Sequence, residues 1–68
     1  MIHKTAIVAS EAEISNDVNI GAYTVIGPNV KIDKGSIIHP QVNISGNTTL
    51  GKETIVYQFA SIGNDPQD

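Results

Sequence analysis

The sequence contains no cysteine and no tryptophan, and its only aromatic side chains besides histidine are Tyr23, Tyr57 and Phe59. Without cysteine there is no disulfide staple, no thiolate metal site and no basis for inferring a redox compartment. Leucine occurs once, at Leu50, although 40% of the 68 residues are hydrophobic. The apolar content is therefore almost all isoleucine, valine and alanine, a composition suited to strands. No apolar run approaches the ~18 residues of a membrane span, which argues against membrane insertion. The first residues lack the basic-then-apolar pattern of a secretory signal, so the default location is the cytoplasm. A net charge of −3 disfavours nucleic acid or an anionic membrane as partner. No glycine-rich phosphate loop is present, because the glycines recur at turn spacing instead.

A strict period of six dominates the chain. Ile2, Val8, Ile14, Ile20, Ile26, Ile32, Ile38, Ile44, Leu50, Val56 and Ile62 form an unbroken aliphatic column. Four residues on, a second column holds only small or β-branched residues: Ala6, Ala12, Val18, Thr24, Val30, Ser36, Val42, Thr48, Thr54 and Ala60. The position after the aliphatic residue carries turn formers, among them Gly21, Gly27, Asp33, Ser45, Gly51 and Gly63. These residues suit a turn because they tolerate positive φ.

Six matches neither a helix of 3.6 residues per turn nor a plain alternation of two. It fits a short strand followed by a turn. One hexad cannot bury its aliphatic residue alone, but a coiled chain can stack successive turns, and hexapeptide repeats are a signature of the parallel β-helix. With three hexads per coil, residues eighteen apart stack at roughly 4.8 Å. The expected fold is all-β, a parallel β-helix of just under four coils. A sandwich of short strands predicts irregular spacing and hairpin turns, and neither is seen. The period itself does not fix the hand of the coil.

Three hexads per coil sort the chain into three sides, named by their inward columns. Side A holds Ile2, Ile20, Ile38 and Val56; side B holds Val8, Ile26, Ile44 and Ile62; side C holds Ile14, Ile32 and Leu50. The residue before each inward one points outward. On side C these are Glu13, Lys31 and Thr49, a solvated face. On side A they include Ile37 and Ile55, and on side B Ile7 and Val25. The corner between A and B carries His3, His39 and Tyr57 in one column, and Tyr23 and Phe59 in another. This corner is either local packing over the turns or a subunit interface along the helix axis. The carboxylates Glu11, Glu13, Asp17, Asp33, Glu53 and Asp65 fall on outward or turn positions and read as solvated surface.

The rhythm stops after Ile62. The next inward position is Asp68 and the next small one is Pro66. An unpaired Asp is costly to bury and Pro cannot donate to a strand ladder. Residues 1–63 are therefore expected to form coils, and residues 64–68 to begin a loop that leaves them. An ordinary frayed terminus is the other reading of the same stretch.

The eleven hexads resemble those of the hexapeptide-repeat acyltransferases. The stretches "MIHKTAIV", "IGPNVKI" and above all "QFASIGNDPQD" are similar to the start of the UDP-N-acetylglucosamine O-acyltransferases that open lipid A synthesis. The resemblance covers the whole chain. It implies a left-handed coil and a cytoplasmic homotrimer with active sites in clefts between subunits. It also implies transfer of a 3-hydroxyacyl group from acyl carrier protein to the 3-hydroxyl of UDP-N-acetylglucosamine, without metal or other cofactor. By the same resemblance the Gln-Asp pair lies beside the nucleotide-sugar cleft, which makes Gln67 and Asp68 candidate substrate contacts.

Two features depart from that family. Its members are several times longer, and their catalytic histidine sits in a later coil with no counterpart here. Acyl transfer to a hydroxyl needs a base close to it, so no catalytic residue is assigned in this chain. His3 and His39, two coils apart in one column, read as corner residues. At roughly 10 Å by stacking distance they cannot share a metal. The competing reading is a short structural or assembly module. A zinc carbonic anhydrase of the same fold is weaker still, since it needs three convergent histidines.

Overall fold

The computed structural model describes residues 1–63, and the expected loop at 64–68, with Gln67 and Asp68, lies outside them. Ten strands of two or three residues follow one another. They are β1 (Ile7–Val8), β2 (Glu13–Ile14), β3 (Asn19–Ile20), β4 (Val25–Ile26) and β5 (Val30–Ile32). The second half repeats them as β6 (Ile37–Ile38), β7 (Asn43–Ile44), β8 (Thr48–Leu50), β9 (Ile55–Val56) and β10 (Ser61–Ile62). Each strand ends on a residue of the aliphatic column, and a turn follows it.

The strands form three parallel sheets, ordered β1-β4-β7-β10, β2-β5-β8 and β3-β6-β9. Ile2 joins the last of these through a parallel bridge to Ile20. Every register pair is eighteen residues apart, as in Val8↔Ile26, Ile14↔Ile32 and Ile20↔Ile38. These are sides B, C and A, so the chain is a parallel β-helix with three hexads per coil. A one-residue slip would turn the whole aliphatic column outward, which is why the register is uniform.

The inward column makes the core. Ile20, Ile26, Ile32, Ile38, Ile44 and Val56 are buried, with Val18, Val30 and Val42 closing it at the corners. Each buried aliphatic side chain contributes about 1.5–3 kcal/mol. Burial is only partial at Val8, Ile14, Leu50 and Ile62.

The corners hold two devices. The first is a buried hydroxyl. Thr24 Oγ1 donates to His39 O at 3.0 Å and accepts from Val42 N at 3.3 Å. Ser36 Oγ donates to Gly51 O at 3.1 Å and accepts from Thr54 N at 3.2 Å. The column that reads as merely small in the sequence thus supplies hydrogen bonds between coils. Among the described residues no buried side-chain polar atom lacks a partner, as a stable interior requires.

The second device is a left-handed backbone residue three positions after the inward one. Tyr23, Gln41, Glu53 and Phe59 have φ of 58°, 59°, 56° and 69°, and Gly35 has 76°. The amide of each reaches the preceding coil. Gln41 N bonds Ala22 O, Glu53 N bonds Lys34 O and Phe59 N bonds Gln41 O. Tyr23 N bonds Thr5 Oγ1, and Gly35 N bonds Asp17 Oδ1. The inverted φ turns the amide along the helix axis, so hydrogen bonding crosses the bend. This corrects the expected turn chemistry. Of the four glycines directly after an inward residue, only Gly63 has positive φ. Gly21 is needed for a different reason, since a Cβ there would lie 2.5 Å from Pro40 N. Asp17 is likewise more than solvated surface, because its carboxylate holds a turn of the next coil.

Candidate functional site

The corner between sides A and B is the most distinctive surface of the molecule. Side chains there emerge from the ends of β3, β6 and β9 and from the turns leading to β4, β7 and β10. Tyr23, Tyr57 and Phe59 are all exposed, and so are Ile7, Val25, Ile37 and Ile55 on the flanking sheets. The outward positions named in the sequence therefore do point outward. The aromatic rings are not folded down over the turns, which removes the local-packing reading for Tyr23 and Phe59.

Charge is segregated from this surface. Glu11, Glu13, Asp17, Lys31, Asp33, Lys34, Lys52 and Glu53 all lie on side C or at its two corners. Among the described residues, sides A and B and their shared corner carry only Lys4 and the Met1 amine. That amine is held by Val18 O at 2.8 Å and Asn19 Oδ1 at 2.9 Å. The strip is nearly uncharged and mixes exposed aliphatic and aromatic residues with the neutral polar side chains of Asn19, Asn43, Ser61 and the Gln41–Gln58 pair, a composition that suits contact with another protein surface.

The two histidines stay in the corner column. His3 Nδ1 lies 2.8 Å from Thr5 Oγ1 and accepts from Thr5 N at 3.2 Å. Thr5 Oγ1 also takes the Tyr23 amide, so this group ties the first coil to the second. The ring of His39 stacks on Tyr57. Both histidines therefore have structural partners. Among the described residues no three His, Cys, Asp or Glu side chains are grouped to hold a metal ion.

Side C offers no comparable feature. Lys31 Nζ and Glu13 Oε2 are 3.7 Å apart and both side chains are largely exposed, so the pair contributes little. Two open depressions flank it, one lined by Glu11, Glu13, Asn29, Lys31 and Asn47 and the other by Glu13, Ser15, Lys31, Asp33 and Leu50. Among the described residues no helix is long and apolar enough to cross a membrane. The sequence-predicted contacts Gln67 and Asp68 lie outside the described residues. The sequence reading missed the inter-coil roles of Thr24, Ser36 and Asp17. Their only signal was a polar residue at a position where size alone would admit alanine or glycine.

Comparison with known proteins gives this geometry a context. The acyl-[acyl-carrier-protein]–UDP-N-acetylglucosamine O-acyltransferase of Syntrophobacter fumaroxidans is 52% identical over 67 residues, covering 98% of this chain and 26% of that protein. The protein of the same name from Azorhizobium caulinodans is 46% identical over 67 residues, covering 98% of this chain and 25% of its own length. A crystal structure of UDP-N-acetylglucosamine acyltransferase superposes with a TM-score of 0.96 at 46% identity, covering all of this chain and 26% of that one. Mirror-image coils could not superpose so closely, so the two helices share one hand. The chain spans about a quarter of the length of these relatives. The family model for bacterial transferase hexapeptide (six repeats) matches residues 11–46, more than half of the sequence. The chain belongs to the bacterial transferase hexapeptide family.

Proposed function

We propose that this chain is the N-terminal β-helix segment of a UDP-N-acetylglucosamine 3-O-acyltransferase. That enzyme moves a 3-hydroxyacyl group from acyl carrier protein to the sugar 3-hydroxyl, the first step of lipid A synthesis in the cytoplasm. The carrying observation is identity of about half the residues over 98% of the chain with proteins named for that reaction. The segment's own part is architectural. Its coils provide a rigid stack for further coils, and its A/B corner provides the contact surface of a homotrimer. No residue of this segment matches the catalytic histidine of the resembled family, so the base that takes the hydroxyl proton is assigned to a later coil. Gln67 and Asp68 are the proposed sugar-nucleotide contacts.

A graft tests this reading. Residues 1–68 replace the matching stretch of the Syntrophobacter fumaroxidans protein, and transfer from 3-hydroxyacyl carrier protein to UDP-N-acetylglucosamine is measured. The expected hybrid retains activity within about tenfold, a loss of ~1.4 kcal/mol in transition-state stabilisation. A hybrid that folds and assembles but transfers nothing contradicts the proposal. The alternative, a structural module without activity, is favoured by one observation: the polar side chains of the described coils are spent on stitching and surface. That outcome of the graft would support it.

A further inference from the structure

The corner between sides B and C is rebuilt at its third and fourth passes. Its first position is held in turn by Ala9, Gly27, Ser45 and Gly63, and its second by Ser10, Pro28 and Gly46. Of these seven residues only Gly46, at 69°, and Gly63, at 78°, have positive φ. In the first coil Ala12 N donates to Ala9 O at 3.0 Å and closes the turn. In the third coil Thr48 N donates instead to Gly46 O at 3.1 Å and Asn29 O at 3.3 Å, and the Thr48 hydroxyl donates to Ser45 O at 2.7 Å. The two glycines interlock across coils. A Cβ on Gly46 would lie 2.6 Å from Gly63 O, and one on Gly63 would collide with Ser45 O and Thr48 Oγ1. Gly27, in the same column as Gly63, has room for a Cβ, with nothing nearer than 3.4 Å. The regular coil therefore demands neither glycine nor an inverted φ in this column, and Ala9 and Ser45 occupy it without either.

The rebuilt corner coincides with the end of the aliphatic column at Ile62. We infer that Gly46 and Gly63 form a joint that turns the chain out of the coil path, and that they are positioning residues for the sugar-nucleotide contacts proposed at Gln67 and Asp68. The inference rests on the acyltransferase reading above and adds two residues to its site. Ala9 O serves the turn of its own coil, whereas Gly63 O lies over Gly46 of the preceding coil. A Cβ at either glycine displaces that carbonyl, and with it the direction in which the chain continues. Gln67 is four residues on, so its Cα lies within roughly 14 Å of that of Gly63. A rotation of about 10° at the joint swings the end of a fully extended arm of that length by about 2 Å. Misplacing a substrate contact by about 1 Å can cost on the order of 100-fold in rate. Neither glycine has a side chain to offer a substrate, so the effect runs through the backbone.

The test uses the hybrid that carries residues 1–68 in the Syntrophobacter fumaroxidans protein. Gly63→Ala, Gly46→Asn and Gly27→Ala are compared with the unsubstituted hybrid. Asparagine tolerates left-handed φ, so Gly46→Asn keeps the backbone of residue 46 and leaves residue 63 intact while pressing on its carbonyl. Steady-state kinetics give kcat and a separate KM for UDP-N-acetylglucosamine and for the 3-hydroxyacyl carrier protein. Gly63→Ala and Gly46→Asn are expected to raise the KM for the nucleotide sugar about tenfold or more, with the KM for the acyl donor unchanged. Gly27→Ala is expected to stay within about twofold of the parent hybrid in both. Folded joint variants with an unchanged KM for the nucleotide sugar overturn the inference. So does a fall in kcat with both KM values unchanged, which reports only a loss of folded enzyme, and so does an equal effect of Gly27→Ala. If Gly63→Ala does not fold, Gly46→Asn decides; if neither folds, the glycines serve the coil and the inference fails. An unsubstituted hybrid that folds and assembles but transfers nothing overturns this inference together with the acyltransferase reading, whereas an active one with unselective variants overturns this inference alone.

Discussion

The rings of His39 and Tyr57 stack with centroids 5.3 Å apart and planes inclined by 19°. They come from neighbouring coils of one corner column. Stacked aromatic pairs contribute about 0.5–1.5 kcal/mol beyond burial. A double-mutant cycle of His39→Ala and Tyr57→Ala, read by urea unfolding, is expected to give a coupling of about 0.5–1 kcal/mol. In the active graft, His39→Ala should leave the turnover of the hybrid unchanged. A loss of transfer with the fold intact would show that this histidine does chemistry rather than packing.

Ile32 is 2% exposed at the centre of the core. Ile32→Asp would bury a charge with no partner, at a cost of several kcal/mol. The variant is expected to lack cooperative unfolding and to be digested rapidly by protease. A folded, protease-resistant Ile32→Asp chain would contradict the buried aliphatic column.

Gly21 and Gly51 occupy the same hexad position but differ in surroundings. A Cβ on Gly21 meets backbone atoms of His39 and Pro40, while nothing lies within 4 Å of one on Gly51. Gly21→Ala should destabilise by about 1–3 kcal/mol through overpacking. Gly51→Ala should be neutral or stabilise by up to about 1 kcal/mol, through reduced freedom of the unfolded chain. Equal effects of the two changes in urea unfolding would show that the close approach at Pro40 is unimportant.

Thr24→Val preserves shape in a column that already admits Val18, Val30 and Val42. It removes the acceptor for Val42 N and the donor to His39 O. Leaving a buried partner unsatisfied costs about 1–3 kcal/mol, so the urea midpoint should fall despite better apolar matching. A rise in the midpoint would show that the hydroxyl bridge is dispensable.

Much of this architecture is legible in the sequence. The aliphatic column at period six identifies the inward residue of each hexad from Val8 to Ile62, whereas Ile2, on the first coil, is 45% exposed, and the stacking of residues eighteen apart follows from three hexads per coil. The exposed positions of Ile37, Ile55, Tyr23 and Phe59 follow from the same count. The hydrogen-bonding duty of Thr24 and Ser36 was hidden, because a β-branched or small residue satisfies the pattern on size alone. The left-handed residues were hidden for a related reason. Tyr, Gln, Glu and Phe carry no local preference for positive φ, and the conformation is imposed by the need to aim an amide at the preceding coil. The proposed substrate contacts Gln67 and Asp68 were read from resemblance.

Self-association through the A/B corner is the claim on which most of this rests, and sedimentation velocity of the wild type beside an Ile37→Lys, Ile55→Lys double variant tests it most directly. Both isoleucines stand outward on side A, 40% and 49% exposed, so lysine is compatible with the coil but not with a buried contact. Apolar area buried between subunits stabilises by about 25 cal/mol per Å², and the buried charges would oppose it. The expected result is a wild-type trimer and a folded, monomeric variant. Two well-folded monomers with the same sedimentation coefficient would contradict the interface.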